Sequence, residues 1–253
     1  MFNDNTLATN NTEFSGLDKV VGDDKIFHVP GTFSDKRDVE KSFEDGLKNF
    51  YKDDKLVVVD LGRVLENSYD DRDKLAEIVV KQIIQTIKDN PDEPIRITGH
   101  SHGGNVQKLV TQKLVEQGYK NVVDDVMYLG TPVTDKHVMN NKALKDTATV
   151  INAYDKSDFV QKNGGDGTTS FFGINKFEVG SAGQTIENNY RVTNIEVESP
   201  NQGLETNSIF SLNPIITIGK IINKQYQDKL EDHSNIDKVE VLQQIKEKMK
   251  NDK

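Results

Sequence analysis

A serine with a glycine two positions before it and another two positions after it lies near the middle of the chain, in the segment GHSHGG at residues 99–104. The apolar residues of 95–98 predict a strand before it, and residues 105–116 predict an amphipathic helix after it. A serine on so sharp a strand-to-helix turn exposes its hydroxyl, and small residues two positions before and after it let the two elements pass closely. The pattern therefore indicates acyl transfer with Ser101 as the nucleophile. The alternative is a tight turn that contains an unreactive serine.

The second residue required is a general base. A serine hydroxyl is a weak nucleophile at neutral pH and needs an imidazole within hydrogen-bond reach. After such a turn the chain order is serine, then an acid, then histidine. His233 is the one histidine late enough in the chain, and we predict it as the base, the alternative being a histidine of a surface loop. The histidines that come too early or flank the serine are His28, His100, His102 and His137.

The third residue is an acid that orients the imidazole and stabilises its positive charge. It is expected in the loop after the predicted strand 149–154, where two aspartates compete. Asp158 is preferred because it directly precedes an apolar pair that would anchor the loop beneath the imidazole. Asp155, at the end of the strand, remains the alternative.

Two N–H donors must stabilise the oxyanion of the tetrahedral intermediate. The main-chain N–H of His102, which follows the nucleophile, is one candidate. The other is the N–H of Thr32 or Phe33, in the turn after the first predicted strand, where Gly31 permits an unusual backbone angle. An ordinary Pro-Gly turn is the alternative.

Composition limits the remaining classes of function. The chain has 253 residues, a formal net charge of −9 and no cysteine, which excludes disulfides and thiolate metal sites. The acidic balance argues against a nucleic-acid partner. The N-terminus lacks the pattern of a Sec-type signal peptide, and no apolar run has the length of a membrane-spanning helix. We expect a soluble protein, either cytoplasmic or exported by a non-Sec route.

Strands alternate with helices along the chain, which predicts an α/β fold with a mostly parallel central sheet and helices on both faces. Residues 1–24 are predicted to be an irregular N-terminal arm and residues 25–253 a single domain. Within it, residues 199–232 form a candidate lid, since their 207–222 part is apolar. An ordinary core element is an equal alternative for that part. Residues 161–183 are glycine-rich and predicted to form a loop.

Taken together, the motifs resemble the α/β-hydrolase superfamily on its lipase and esterase side. The matching segments are Val29–Phe33, Gly99–Gly104, Leu129–Pro132, Asn152–Gln161 and Asp232–Ser234, in the family's order. The chain departs from the family in two places. Its oxyanion turn reads Pro-Gly-Thr instead of His-Gly-Gly-Gly, and about 35 residues separate the last predicted strand from His233.

The resemblance implies a serine hydrolase of carboxylic esters, with lipid acyl esters as the favoured substrates and contact with a membrane surface. Alternatives are a soluble small-ester carboxylesterase, a thioesterase or acyltransferase, and a non-catalytic binding module on the same scaffold. Neither a cofactor nor a metal ion is predicted. A weaker resemblance to lipase-type toxin domains of bacterial effectors implies an immunity protein or chaperone as partner.

Overall fold

The strand and helix pattern is realised as one six-stranded sheet with helices and a separate strand pair. The computed structural model describes residues 26–31, 36–52, 55–59, 68–137, 139–145, 148–165, 168–171, 175–178, 182–187, 192–200 and 233–251. The strands are β1 Ile26–Val29, β2 Leu56–Val58, β3 Arg96–His100, β4 Asp125–Leu129, β5 Thr149–Tyr154, β6 Thr168–Phe171, β7 Asn175–Glu178 and β8 Val192–Glu196. The helices are α1 Lys41–Tyr51, α2 Tyr69–Asp89, α3 His102–Glu116, α4 Phe159–Asn163 and α5 Val239–Asn251.

The main sheet has the strand order β2-β1-β3-β4-β5-β8, and every neighbouring pair is parallel. Strands β6 and β7 form a separate antiparallel pair. Parallel neighbours need crossover connections, and α1, α2 and α3 lie in the connections from β1 to β2, from β2 to β3 and from β3 to β4. The predicted α/β fold class is thus confirmed. The carboxyl ends of β1, β3 and β4 lie side by side, so the loops that follow these strands meet at one edge of the sheet.

Apolar residues cover both faces of the sheet because alternate residues of each strand point to opposite sides. On one face, buried residues of the strands pack against α2 and α3, among them Phe27, Ile97 and Val126. On the other face, Met127 and Ile151 belong to a second cluster that includes residues of α1 and α5. Helices therefore lie on both sides, and the edge that carries the loops is left for polar side chains.

Several element boundaries differ from those predicted. Helix α3 begins at His102, three residues before the predicted start, so it follows Ser101 directly. Ser34 followed by Asp35 resembles a helix N-cap and predicts an earlier start for α1. The helix begins at Lys41 instead, because residues 36–39 form turns and a bend and Glu40 takes the N-cap position. Ser234 and Asp237 have the spacing of a capping box, whereas helix α5 begins later, at Val239.

Two further expectations about individual segments fail. The apolar run of β2 is typical of a strand buried on both faces, yet β2 lies at an edge of the described sheet and two of its three residues are only half-buried. The predicted loop 161–183 includes the end of α4 and the strands β6 and β7. The many glycines of this segment indicated a loop, and the two strands within it are short. The predicted arm and most of the candidate lid lie outside the described residues.

The buried His28 of β1 leads us to predict that the fold loses stability at acid pH. Its buried imidazole bonds Thr98 Oγ1 through Nδ1 at 2.8 Å, and burial together with the nearby His100 lowers the pKa of His28 from 6.5 to about 3. Below about pH 6.5 the unfolded chain therefore binds a proton at His28, whereas the folded protein leaves this imidazole neutral. We expect the free energy of unfolding to fall by about 1.4 kcal/mol per pH unit from this group as the pH drops from 6.5 towards 3.

The measurement is denaturant unfolding of the wild type and of His28→Asn between pH 7 and pH 4. Asparagine keeps a polar atom near the position of Nδ1 but does not titrate. The variant should be less stable at pH 7 and should lose less stability on acidification. Equal acid slopes in the two proteins would contradict the assignment to His28.

Candidate active site

Ser101 stands at a strained turn between β3 and α3. Its backbone angles are φ 52° and ψ −131°, in a region that residues with a side chain rarely adopt. The N–H of Ser101 donates to the carbonyl of Leu129 at 2.9 Å, and its own carbonyl accepts from Gly104 at 3.1 Å. These bonds hold the turn, and strained backbone of this kind is concentrated at functional sites.

The two glycines after the turn are required for close packing. A Cβ atom on Gly103 would lie 2.1 Å from the carbonyl oxygen of Val29, and one on Gly104 would lie 1.9 Å from Thr131 Oγ1. Any larger residue would push α3 away from the end of β1 or from the loop after β4. The glycine spacing read from the sequence thus has a steric cause in the fold.

His233 lies against the serine although 132 positions separate them in the chain. Its Nε2 atom is 2.8 Å from Ser101 Oγ, and both side chains are almost completely buried. The segment that begins at His233 packs through Ile236 against Gly130 at the end of β4. The structure therefore brings together the predicted nucleophile and the predicted base.

Asp158 completes a chain of hydrogen bonds. Its Oδ2 atom is 2.7 Å from His233 Nδ1, and its side chain is 0% exposed. The other oxygen, Oδ1, caps α4 by accepting from the N–H of Gln161 at 2.8 Å. Since a carboxylate only accepts, the Nδ1–H of the imidazole donates to it. Neutral His233 then has Nε2 without a hydrogen, which can accept the Ser101 proton.

Asp155, the alternative acid, is bonded elsewhere. Its Oδ1 accepts from the N–H and hydroxyl of Ser157 at 2.7 and 2.6 Å, and its Oδ2 accepts from the N–H of Ser199 at 2.8 Å. Burial raises the pKa of Asp155, but these hydrogen bonds outweigh it and leave the pKa lowered. Asp155 ties the loop after β5 to the segment after β8, and Asp158 is the aspartate that contacts His233.

The predicted oxyanion donors are described only in part. The N–H of His102 belongs to the first turn of α3, where N–H groups have no partner within the helix and favour negative charge. Gly31 lies beside the turn, since a Cβ on it would be 3.0 Å from Ser101 Cβ. Gly31, the last described residue before the turn, therefore approaches the nucleophile. Thr32 and Phe33 lie outside the described residues.

A polar chain behind His102 was not foreseen from the sequence. Lys108 donates to Asn105 Oδ1 at 3.2 Å, and Asn105 Nδ2 lies 3.1 Å from His102 Nδ1. An ammonium only donates, so the asparagine amide donates in turn to Nδ1 and His102 carries its hydrogen on Nε2. Burial lowers the pKa of His102 well below its ordinary value, and the positive charge of Arg72 adds to the effect. The side chain next to the nucleophile is thus held neutral.

Among the described residues, no cluster of three or more histidine, aspartate or glutamate side chains is arranged to hold a metal ion. In the same part of the chain, no helix combines the length and the apolar character needed to cross a membrane.

A family model described as "protein of unknown function (DUF726)" matches residues 55–199, more than half of the chain. This chain belongs to the DUF726 family. The matched region contains Ser101 and Asp158, whereas His233 follows it. No function is attached to the DUF726 description. Among curated proteins, none matches the sequence significantly.

Solved structures similar to this DUF726 protein include hydrolases of different kinds. A thioesterase of the prodiginine biosynthetic pathway of Streptomyces coelicolor is 19% identical, with 45% of this chain and 41% of that chain covered and a TM-score of 0.34. Lipase B of Aspergillus fumigatus is 16% identical, with coverage of 44% and 25% and a TM-score of 0.36. Protein Atu2452 of unknown function from Agrobacterium tumefaciens is 16% identical, with coverage of 55% and 69% and a TM-score of 0.37.

The matched part spans less than half of the thioesterase and lipase chains. The DUF726 chain has an α/β-hydrolase-like fold. Its parallel sheet, the serine turn after the third strand of the chain and the helices on both faces carry that assignment.

Proposed function

We propose that this protein is a serine hydrolase of carboxylic esters, with Ser101 as nucleophile, His233 as base and Asp158 as the orienting acid. The observation that carries the proposal is the continuous pair of hydrogen bonds, 2.8 Å from Ser101 Oγ to His233 Nε2 and 2.7 Å from His233 Nδ1 to Asp158 Oδ2. This geometry suits the transfer of a hydroxyl proton to an imidazole.

In the first half of the reaction, Ser101 Oγ attacks the ester carbonyl carbon while its proton passes to His233 Nε2. The resulting imidazolium is stabilised by the Asp158 carboxylate, which keeps its own charge. The N–H of His102 and an N–H from the turn after Gly31 are proposed to bind the oxyanion. Collapse of the tetrahedral intermediate breaks the bond to the alcohol oxygen, and His233 gives that oxygen the proton.

In the second half, water replaces the alcohol. Neutral His233 removes a proton from the water, whose oxygen attacks the acyl carbon bound to Ser101. The second tetrahedral intermediate expels Ser101 Oγ, which recovers its proton from His233, and the carboxylic acid leaves. The cycle is balanced in atoms and protons by these residues and water.

The proposed substrate class rests on the amino-acid sequence of a segment that lies outside the described residues. The segment 207–222 carries the apolar run Ile-Phe-Ser-Leu-Asn-Pro-Ile-Ile at 209–216, which is suited to a hydrophobic acyl chain or a lipid surface. We therefore propose lipid acyl esters as substrates, as for a lipase or phospholipase. Short water-soluble esters are the competing class.

Two assays test the proposal. A fluorophosphonate probe should label the wild type at Ser101, since such probes report an activated serine. Hydrolysis of p-nitrophenyl butyrate is then compared with release of fatty acid from phosphatidylcholine vesicles. Faster turnover of the vesicles supports the lipid class, and the reverse order contradicts it. Absence of both labelling and hydrolysis would refute the proposed activity and favour a binding module.

A further inference from the structure

His100 connects the serine turn to the segment that carries His233. It is the last residue of β3 and is buried, and its Nε2 atom lies 3.1 Å from the main-chain carbonyl oxygen of His233. The two imidazole rings also face each other, with centroids 5.0 Å apart and planes inclined at 33°. His100 also lies next to Gly31, since a Cβ atom added to Gly31 would come within 3.0 Å of His100 Nδ1. The His100 ring is thus close to both His233 and Gly31.

The hydrogen bond to His233 defines the state of the His100 ring. A carbonyl oxygen only accepts, so Nε2 of His100 carries a hydrogen and donates it. The other nitrogen, Nδ1, lies 3.5 Å from Asp237 Oδ2, an arrangement that becomes an ion pair only if His100 is protonated. Burial lowers the pKa of His100, the Asp237 carboxylate opposes this in part, and His233 lowers it further. His100 is therefore neutral at neutral pH.

We propose that His100 is a positioning residue for the base: it holds the main chain of His233 so that the imidazole meets Ser101 Oγ. This inference rests on the proposed function, because it assigns a second imidazole to the same reaction. Without the Nε2–H donor, the carbonyl of His233 would keep only the long 3.4 Å hydrogen bond from the N–H of Ile236, and the segment would shift to improve it. A displacement of about 1 Å at a reacting group is enough to lower turnover strongly.

A second consequence concerns charge. When His233 takes the Ser101 proton, a positive charge forms beside the His100 ring. Neutral His100 does not oppose it, whereas a protonated His100 would. The titratable groups that act on this ring are His233, Asp158 and Asp237, and His28 of the adjacent strand is coupled to it. Of these, Asp237 is the acid outside the proposed reaction that favours positive charge on His100.

The first test compares His100→Phe with His100→Gln. Phenylalanine keeps a ring beside His233 but cannot donate, and we expect kcat to fall about 10- to 100-fold with little change in KM. Glutamine offers an amide N–H to the His233 carbonyl and should restore most of the loss. His28→Asn is the matched control, since it alters the neighbouring buried histidine without touching His233, and it should keep the wild-type kcat.

The second test uses Asp237→Asn, which removes the charge at Nδ1 while an amide N–H can donate to that atom. Loss of the carboxylate disfavours protonation of His100, which would oppose the positive charge formed on His233, so the acid limb of kcat/KM should move to lower pH by about half a unit. A residue with only a structural role would lower the melting temperature without moving this limb.

The outcomes separate the two proposals. Loss of labelling and hydrolysis in Ser101→Ala, together with a reduced kcat in His100→Phe that His100→Gln restores, supports the positioning role. A Ser101-dependent enzyme in which His100→Phe has full kcat per folded molecule overturns that role and leaves the hydrolase proposal intact, and an unmoved Asp237→Asn profile overturns the proposed effect of charge on His100. Turnover that survives Ser101→Ala refutes the proposed function itself.

Discussion

Replacement of Ser101 by alanine is expected to reduce ester hydrolysis by about 10⁴-fold or more and to abolish fluorophosphonate labelling. The reason is chemical: without Oγ no acyl-enzyme forms, and the remaining donors only stabilise slow attack by water. The change should leave the fold intact, because removal of the hydroxyl takes away one 2.8 Å hydrogen bond, the one to His233. Labelling, turnover and the melting temperature measured on the same preparation check the prediction.

The control for this prediction is Ser42→Ala. Ser42 is exposed on α1, where its hydroxyl contacts Glu40 at 3.4 Å, so its loss should change neither labelling nor rate. If Ser101→Ala retained labelling at an unchanged rate, the reactive serine would lie elsewhere and the proposed nucleophile would be wrong.

The second large effect is expected to distinguish two aspartates three residues apart. Asp158→Asn should lower kcat by about 10³- to 10⁴-fold, because a neutral amide no longer enforces the imidazole tautomer or stabilises the imidazolium. Asparagine is also a good N-cap, so α4 should persist and the melting temperature should change little. Asp155→Asn is the matched comparison and should leave kcat near the wild-type value.

Asp155→Asn is expected to lower the free energy of unfolding. Its carboxylate accepts hydrogen bonds from Ser157 and Ser199, and loss of the charge should cost about 1–3 kcal/mol of unfolding free energy. Because the pKa of Asp155 is lowered by folding, this contribution is present above its unfolded pKa and is lost as the pH falls through the folded one. Urea unfolding at pH 7 measures the expected loss of stability, and kcat on one ester shows whether activity is kept. A larger loss of kcat in Asp155→Asn than in Asp158→Asn would reverse the assignment.

Much of the fold was predictable because its signals are local. The β-branched and apolar run of β5 predicted its bounds, residues 149–154, without error. Strands followed by amphipathic helices predicted the parallel sheet, since only crossover connections satisfy that order. The failures lie where local signals are weak. The start of α1 lies later than the sequence predicts, with Glu40 at the N-cap position, and the strands β6 and β7 are short and lie in a glycine-rich stretch.

The candidate site divides in the same way. The spacing of Gly99, Ser101 and Gly103 is a local requirement of a strand-to-helix turn, so residue types alone indicate it. His233 could be reached by elimination, because the chain has five histidines and the required order excludes four. Local pattern favoured Asp158 but left Asp155 as the alternative, since each follows the same strand within a few residues. The hydrogen bonds in the folded loop make that choice.

The sequence by itself therefore determined the α/β architecture and the pairing of Ser101 with His233, because backbone periodicity and chain order are properties of the chain. Only the tertiary structure decided which aspartate meets His233 and that His100 binds the main chain of its partner from 133 positions away. These contacts depend on the directions in which loops leave the sheet. Those directions are set by packing of distant elements, which no local pattern of residues encodes.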